Sequence, residues 1–291
     1  WCITLLGDGR VVSGSWDKTL IVWAAGDDGA FAAAQTLSGH TYWVCCVTKL
    51  VDGRLVSGSF DDTLIVWAAG DDGVFAAVQT LSGHTSFVYC VAPLDDGRIV
   101  SGSQDTLIVW AAGDDGVFAA AQTLSGTLSG RASAVMCVAP LDDGRLVSGS
   151  DDTTLIVWAA GDDGVFAAVQ TLSGHTSFVY CVAPLDDGRI VSGSQDNTLI
   201  VWAAGDDGVF GAAQTLSGHT SYVHCVAPLY GGRLVSGSHD KTMIVWEAGD
   251  DGVFAAAQTL SGHTSAVMCV APLDDGRLVS GSDDTTLIVW E

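Results

Sequence analysis

Positive charge is scarce in this chain. Against 34 aspartates and glutamates stand only 11 lysines and arginines, a formal net charge of −23 over 291 residues. A field of that sign repels phosphate backbones and anionic lipid, so neither nucleic acid nor a membrane surface is expected as a partner. Long hydrophobic runs are missing too. Hydrophobic residues make up 48% of the chain, ample for burial, yet no run approaches the roughly 18 residues that cross a bilayer. No basic, apolar-centred leader opens the sequence.

What the chain has instead is repetition. A run reading Thr-Leu-Ile-Val-Trp, once with Met for Leu, ends at Trp23, Trp67, Trp110, Trp158, Trp202, Trp246 and Trp290. The repeats fall at about 1–25, 26–69, 70–112, 113–160, 161–204, 205–248 and 249–291. At such a period each unit is one supersecondary element that buries its core only against its neighbours. A single domain over 1–291 is therefore expected, since each added unit brings its own interface. Trp1 falls inside a repeat, so the natural start is expected upstream.

Cysteine follows the same period. Cys2, Cys46, Cys90, Cys137, Cys181, Cys225 and Cys269 occupy one equivalent position, and only Cys45 breaks the register. Equivalent positions point the same way and do not suit pairing, so these read as small buried thiols. Free thiols point to a reducing, intracellular compartment, cytoplasmic or nuclear.

Residues 161–204 show one unit in full. Val165 to Leu172 is a β-compatible run followed by Ser-Gly-His-Thr; Phe178 to Ala183 is a second, closed by Asp186-Asp187-Gly188. Ile190 to Ser194 and Thr198 to Ala203 follow, separated by Gln195-Asp196-Asn197. The last run is apolar on both faces, as in a strand sandwiched between two sheets. Four short strands repeated seven times predict an all-β fold, a seven-bladed β-propeller with four-stranded antiparallel blades.

The run Ser-Gly-His-Thr, then Val-x-Cys-Val, then Asp-Gly-Arg-x-Val-Ser-Gly-Ser-x-Asp, then Ile-Val-Trp resembles the WD40 repeat over essentially all of the sequence. It departs from that pattern in three ways. The Trp is followed by Ala or Glu, the third unit is one residue short between Asp105 and Trp110, and the fourth is irregular. The resemblance implies that a blade takes three strands from one repeat and its outermost strand from the next. The last blade should then lack its outermost strand within this chain. From this we expect the chain to derive from a longer protein with flanking domains, leaving Thr286 to Trp290 with an unpaired edge.

Histidine, serine and aspartate recur at nearly fixed spacing in five repeats. Taken alone the trio resembles a hydrolase triad, but five active sites beside strand tryptophans do not make an enzyme. The resemblance implies hydrogen-bonded structural tetrads instead: His40, Ser57, Asp61 and Trp67; His84, Ser101, Asp105 and Trp110; His175, Ser192, Asp196 and Trp202; His219, Ser236, Asp240 and Trp246; His263, Ser280, Asp284 and Trp290. The fourth repeat carries Arg131 in place of the histidine, after a duplicated Thr-Leu-Ser-Gly at 127–130. Its blade is expected to be the softest.

Between such similar units, the differences are informative. They gather at the residue three after the loop histidine, the residue two beyond it, and the residue before the turn aspartate. These are Trp43, Cys45 and Phe60; Phe87, Tyr89 and Gln104; Ala134, Met136 and Asp151; Phe178, Tyr180 and Gln195; Tyr222, His224 and His239; Ala266, Met268 and Asp283. The first repeat keeps Trp1 and Trp16. In WD40 propellers similar positions surround one mouth of the central channel, where partners dock. The expected function is a non-catalytic scaffold that binds a protein or peptide there through these aromatics, with Asp151 and Asp283 favouring Lys or Arg in the ligand. An alternative is the recognition domain of a larger regulatory protein, such as a signalling ATPase or a ubiquitin-ligase receptor. A remote one is a metal-dependent enzyme using His224 and His239. The Asp-Asp-Gly turns, such as Asp27-Asp28, Asp71-Asp72, Asp95-Asp96 and Asp162-Asp163, lack the alternating pattern of a calcium loop. No cofactor or metal is expected.

Overall fold

Leu-Ile-Val-Trp, with Met243 for Leu in the sixth sheet, is apolar on both faces and lies in the third strand of every sheet, and β-branched residues suit that doubly covered position. The computed structural model describes residues 2–26, 29–104, 106–125 (Ser125 by its main chain alone) and 133–291. Trp1, Asp27, Asp28, Asp105, Arg131 and the duplicated segment at 127–130 lie outside the described residues. The chain divides into two compact units, Trp1–Thr127 and Leu128–Glu291.

The first unit holds three antiparallel four-stranded sheets. They are β1 (Cys2–Leu5), β2 (Val11–Gly14), β3 (Thr19–Ala25) and β4 (Phe31–Ser38); β5 (Val44–Lys49), β6 (Leu55–Ser59), β7 (Thr63–Ala69) and β8 (Phe75–Ser82); and β9 (Cys90–Pro93), β10 (Ile99–Gly102), β11 (Thr106–Ala112) and β12 (Phe118–Ser125). The second unit continues with β13 (Val135–Pro140), β14 (Leu146–Ser150), β15 (Thr154–Ala160) and β16 (Phe166–Ser173); β17 (Val179–Pro184), β18 (Ile190–Ser194), β19 (Thr198–Ala204) and β20 (Phe210–Ser217); and β21 (Val223–Leu229), β22 (Arg233–Ser238), β23 (Thr242–Ala248) and β24 (Phe254–Ser261). A three-stranded sheet of β25 (Val267–Pro272), β26 (Leu278–Ser282) and β27 (Leu287–Trp290) ends it. Each sheet is a propeller blade, so the all-β reading with six four-stranded blades and a shorter last one holds. The strands expected in residues 161–204 lie within one residue of β16 to β19. No helix among the described residues is long and apolar enough to cross a membrane.

Within each unit the core lies between consecutive blades. In the first, Val12, Leu20 and Val22 pack against Val44, Leu55, Ile65 and Trp67 of the next sheet. In the second, Val147, Leu155 and Val157 meet Val179, Ile190, Ile200 and Trp202 in the same way. The spacing is tight at the Ser-Gly-Ser strand. A Cβ on Gly58 would lie 2.6 Å from Cys46 Sγ of its own blade and 2.7 Å from Val88 Cγ1 of the next. Close sheet approach thus accounts for both the glycine and the small thiol at its side.

Two devices place side chains toward the turns. The first strand carries a β-bulge: Val44 pairs with Ser59 and Cys46 with Gly58, which leaves Cys45 as the extra residue. The same shift isolates Met136, Tyr180, His224 and Met268. A bulge re-aims its extra side chain out of the regular alternation. The second device is the tight turn between second and third strands, where Asn197 takes φ 71°, a left-handed conformation that asparagine tolerates.

Candidate functional site

The variable positions adjoin one another because the turns are tied together. Phe60 N donates to Trp43 O at 3.0 Å, Gln195 N to Phe178 O at 2.8 Å and His239 N to Tyr222 O at 2.8 Å. Asp151 N donates likewise to Ala134 O, and Asp283 N to Ala266 O. Neighbouring blades are linked as well, since Val44 N donates to Ser15 O and Val88 N to Ser59 O, each at 3.0 Å. Side chains on such turns are held before any partner arrives.

In the first unit these links build a ladder of rings. Trp16 stacks on Trp43 with centroids 4.7 Å apart and planes 16° from parallel. Trp43 meets Phe60 at 5.7 Å, Phe60 stacks on Phe87 at 4.4 Å, and Tyr89 stands edge-on to Phe60 at 5.4 Å. Both ends of the stack face solvent, with Trp16 43% and Phe87 41% exposed, while Trp43, Phe60 and Tyr89 are half-buried. Sequence reasoning missed Tyr42, which is 43% exposed and lies 5.2 Å from Trp43. Its signal was present: Tyr42 stands where Ser86, Ser177, Ser221 and Ser265 stand in other repeats. Gln104, exposed, accepts a hydrogen bond from Ser86 Oγ at 3.1 Å.

A second cluster forms in the other unit. Phe178 and Tyr180 meet edge-on at 6.3 Å, Tyr180 and His224 lie 4.9 Å apart, and Tyr222 and His239 5.6 Å apart. Phe178, Tyr222 and His239 are exposed, whereas Tyr180 and His224 sit half-buried beneath them. Gln195 accepts from Ser177 Oγ at 2.8 Å. Burial, with His239 alongside, pushes the His224 imidazole down to about 4. The rings of His224 and His239 lie 5.7 Å apart, and among the described residues no group of three His, Cys, Asp or Glu is placed to hold a metal ion. Met136, Asp151, Met268 and Asp283 are half-buried at the equivalent places of their blades.

The histidine, serine, aspartate and tryptophan sets lie beneath these surfaces. In the second blade Trp67 Nε1 donates to Ser57 Oγ at 2.9 Å, Ser57 Oγ lies 2.8 Å from His40 Nε2, and His40 Nδ1 lies 3.0 Å from Asp61 Oδ2. All three contacts are satisfied when the serine hydroxyl donates to Nε2 and the Nδ1 proton faces the carboxylate. Trp202, Ser192, His175 and Asp196 repeat this at 2.9, 2.8 and 2.9 Å. So do Trp246, Ser236, His219 and Asp240, and Trp290, Ser280, His263 and Asp284. In the third blade Trp110 and His84 both contact Ser101, at 2.8 and 2.6 Å, while Asp105 lies outside the described residues. In the fourth, Trp158 Nε1 donates to Ser148 Oγ at 2.9 Å.

The hydroxyls of Ser57, Ser101, Ser192, Ser236 and Ser280 are buried and engaged on both sides, a poor posture for a nucleophile. Burial lowers the affinity of His40, His175 and His219 for a proton, against the pull of their aspartates. Burial alone would raise Asp61 and Asp196, but hydrogen bonds from Thr63 and Thr198, a loop amide and the histidine hold both below the usual carboxylate range.

The Asp-Gly-Arg turns are self-compensated. Arg54 Nε donates to Asp52 Oδ2 at 2.7 Å and Arg189 Nε to Asp187 Oδ2 at 2.8 Å, with the carboxylates half exposed. Exposed pairs of this kind contribute about 0–1 kcal/mol.

Compared with known families, the sequence matches the model described as WD domain, G-beta repeat at residues 1–24, 32–68, 75–111, 122–159, 166–203, 212–247 and 255–291. No curated protein matches it.

Proposed function

The chain belongs to the WD40 family, whose propellers generally serve as non-catalytic scaffolds for proteins and peptides, and from that premise we propose that it docks a peptide or protein segment on the ladder from Trp16 through Trp43 and Phe60 to Phe87. The observation that carries this reading is the ladder itself. Four rings from three successive blades follow one another at 4.4–5.7 Å, stacked at Trp16–Trp43 and Phe60–Phe87 and tilted by 34° between Trp43 and Phe60, on turns joined by main-chain hydrogen bonds. Rigid aromatics lose little entropy on binding and dominate interface energetics, at about 2 kcal/mol or more for an anchor. The net charge of −23 favours a segment carrying Lys or Arg, which would also lie well against the ring faces. The Phe178, Tyr180, Tyr222, His224 and His239 cluster is a second contact surface in the same reading. An address inside the cell, as the free thiols suggest, suits such a partner.

A random linear-peptide library selected on the wild-type chain tests this, with the Phe60→Ala/Phe87→Ala variant as counter-bait. Selected peptides should lose at least about tenfold in affinity for the variant, while its urea midpoint stays near wild type. Peptides that bind both proteins equally would refute the assignment.

A further inference from the structure

Of the seven histidines in the chain, five are committed to the hydrogen-bond chains inside the blades. His40, His175, His219 and His263 each have Nε2 on a serine and Nδ1 on an aspartate. His84 has Nε2 on Ser101 at 2.6 Å and Nδ1 3.4 Å from Thr106 Oγ1. A ring engaged at both nitrogens offers no lone pair to a metal ion. The remaining two are His224 and His239, and they are neighbours. Their ring centroids lie 5.7 Å apart, with the planes tilted by 40°.

The pair is peculiar to the sixth blade. No other repeat has histidine at either position: the fifth carries Tyr180 and Gln195 there, and the seventh Met268 and Asp283. The fold brings the two together. The bulge between Val223 and Cys225 re-aims His224, and His239 N donates to Tyr222 O at 2.8 Å, which closes the turn beside it. Among the described residues neither imidazole makes a hydrogen bond or an ion pair, and His224 Nε2 is buried without a partner. An orphaned buried nitrogen is destabilising unless a ligand takes it up. Burial, with His239 alongside, pushes His224 down to about 4, so its ring is neutral at physiological pH, the form that binds metals. Tyr180 lies 4.9 Å from His224 and Tyr222 5.6 Å from His239, an aromatic wall on either side.

We propose that His224 and His239 form a zinc site, in which Nε2 of His224 and one ring nitrogen of His239 bind a single Zn(II) ion whose other positions stay open to water or to a side chain of a docked partner. A tetrahedral zinc ion holds imidazole nitrogens at about 2.0–2.1 Å, which places two ring centroids roughly 5 Å apart. The observed 5.7 Å is close to this, and His239 is exposed, so rotation about its side-chain bonds closes the difference. No third histidine, cysteine or carboxylate among the described residues is placed to complete the shell, and this is why positions stay open. The net charge of −23 favours a dication. The site lies in the second unit, apart from the aromatic ladder in the first. It is a binding centre, and no reaction is assigned to it.

The test uses the 291-residue chain with its thiols reduced, and zinc chloride as the probe. Calorimetric titration at neutral pH should show one zinc ion per chain. His239→Gln and His224→Tyr exchange each histidine for its fifth-blade counterpart, and either should weaken zinc binding at least about tenfold. Cys45→Ser should leave it unchanged. Cobalt(II) in place of zinc should give ligand-field absorption without thiolate-to-metal charge transfer. Because His239 is exposed, His239→Gln does not endanger folding and carries the test by itself should His224→Tyr shift the urea midpoint. The proposal fails if the chain binds no zinc, if His239→Gln binds it as tightly as wild type, or if loss in Cys45→Ser or thiolate charge transfer assigns the ion to a cysteine.

Discussion

Replacing Ser192 by alanine puts the buried hydrogen-bond chain of a blade to the test. Ser192 Oγ accepts from Trp202 Nε1 at 2.9 Å and meets His175 Nε2 at 2.8 Å, and the serine is fully buried. Its loss leaves the indole N–H and the imidazole nitrogen unpaired where water does not reach, since Trp202 is 1% exposed. Each orphaned group costs about 1–3 kcal/mol, so Ser192→Ala should destabilise by about 2–6 kcal/mol. Ser148→Ala is the internal control. Among the described residues Ser148 Oγ has the Trp158 indole and no histidine, so one orphan is created and about 1–3 kcal/mol is expected. Equilibrium urea unfolding followed by near-ultraviolet circular dichroism gives the totals, and amide exchange over β17 to β19 shows where the loss lies. A cost for Ser192→Ala below about 0.5 kcal/mol, or no larger than that of Ser148→Ala, would refute the argument that the network is a unit of stability.

Two further outcomes follow from packing and titration. Gly58→Ala forces a Cβ to within 2.6 Å of Cys46 Sγ and 2.7 Å of Val88 Cγ1, and should cost about 1–3 kcal/mol; adding Cys46→Ala should recover part of it, and strictly additive losses by thermal unfolding would contradict the steric account. His84 and His224 are both depressed from 6.5 to about 4 by burial, so folding favours their neutral forms. Their contribution is complete above about pH 6.5 and is lost as pH falls toward 4, by up to roughly 3 kcal/mol each. His224→Phe should therefore flatten the fall of the urea midpoint between pH 6.5 and 4, and an unchanged slope would show that His224 does not carry it.

What could be read from the sequence were features settled within about ten residues. Thr-Leu-Ile-Val-Trp declares a strand covered on both faces, because no register could place a polar row on either side. Asp186-Asp187-Gly188 declares its turn, with Gly188 at φ 81° where a side chain would be strained. The tetrads were legible through family resemblance, since strand register and a tight turn bring His175, Ser192, Asp196 and Trp202 together within one blade. The candidate surface was only half legible. Repeat-to-repeat variation marked Trp43, Phe60 and Phe87, yet missed Tyr42 beside them, and it could not show that Trp16 and Trp43 stack across two blades.

The rest was decided in three dimensions. Val-Tyr-Cys and Val-His-Cys look like plain alternation; the bulges at Tyr180 and His224 exist because Val179 and Cys181 pair with adjacent residues, Ser194 and Gly193, and Val223 and Cys225 with Ser238 and Gly237. Gln214 reads as one polar residue on an edge strand, and its true partner is the main chain of a Phe forty residues on. Local chemistry determines strands and turns because their energetics close over a few neighbours. Ring stacks, bulge directions and glutamine contacts of this kind depend on how one twisted sheet lies on the next, a long-range fit that no single repeat contains.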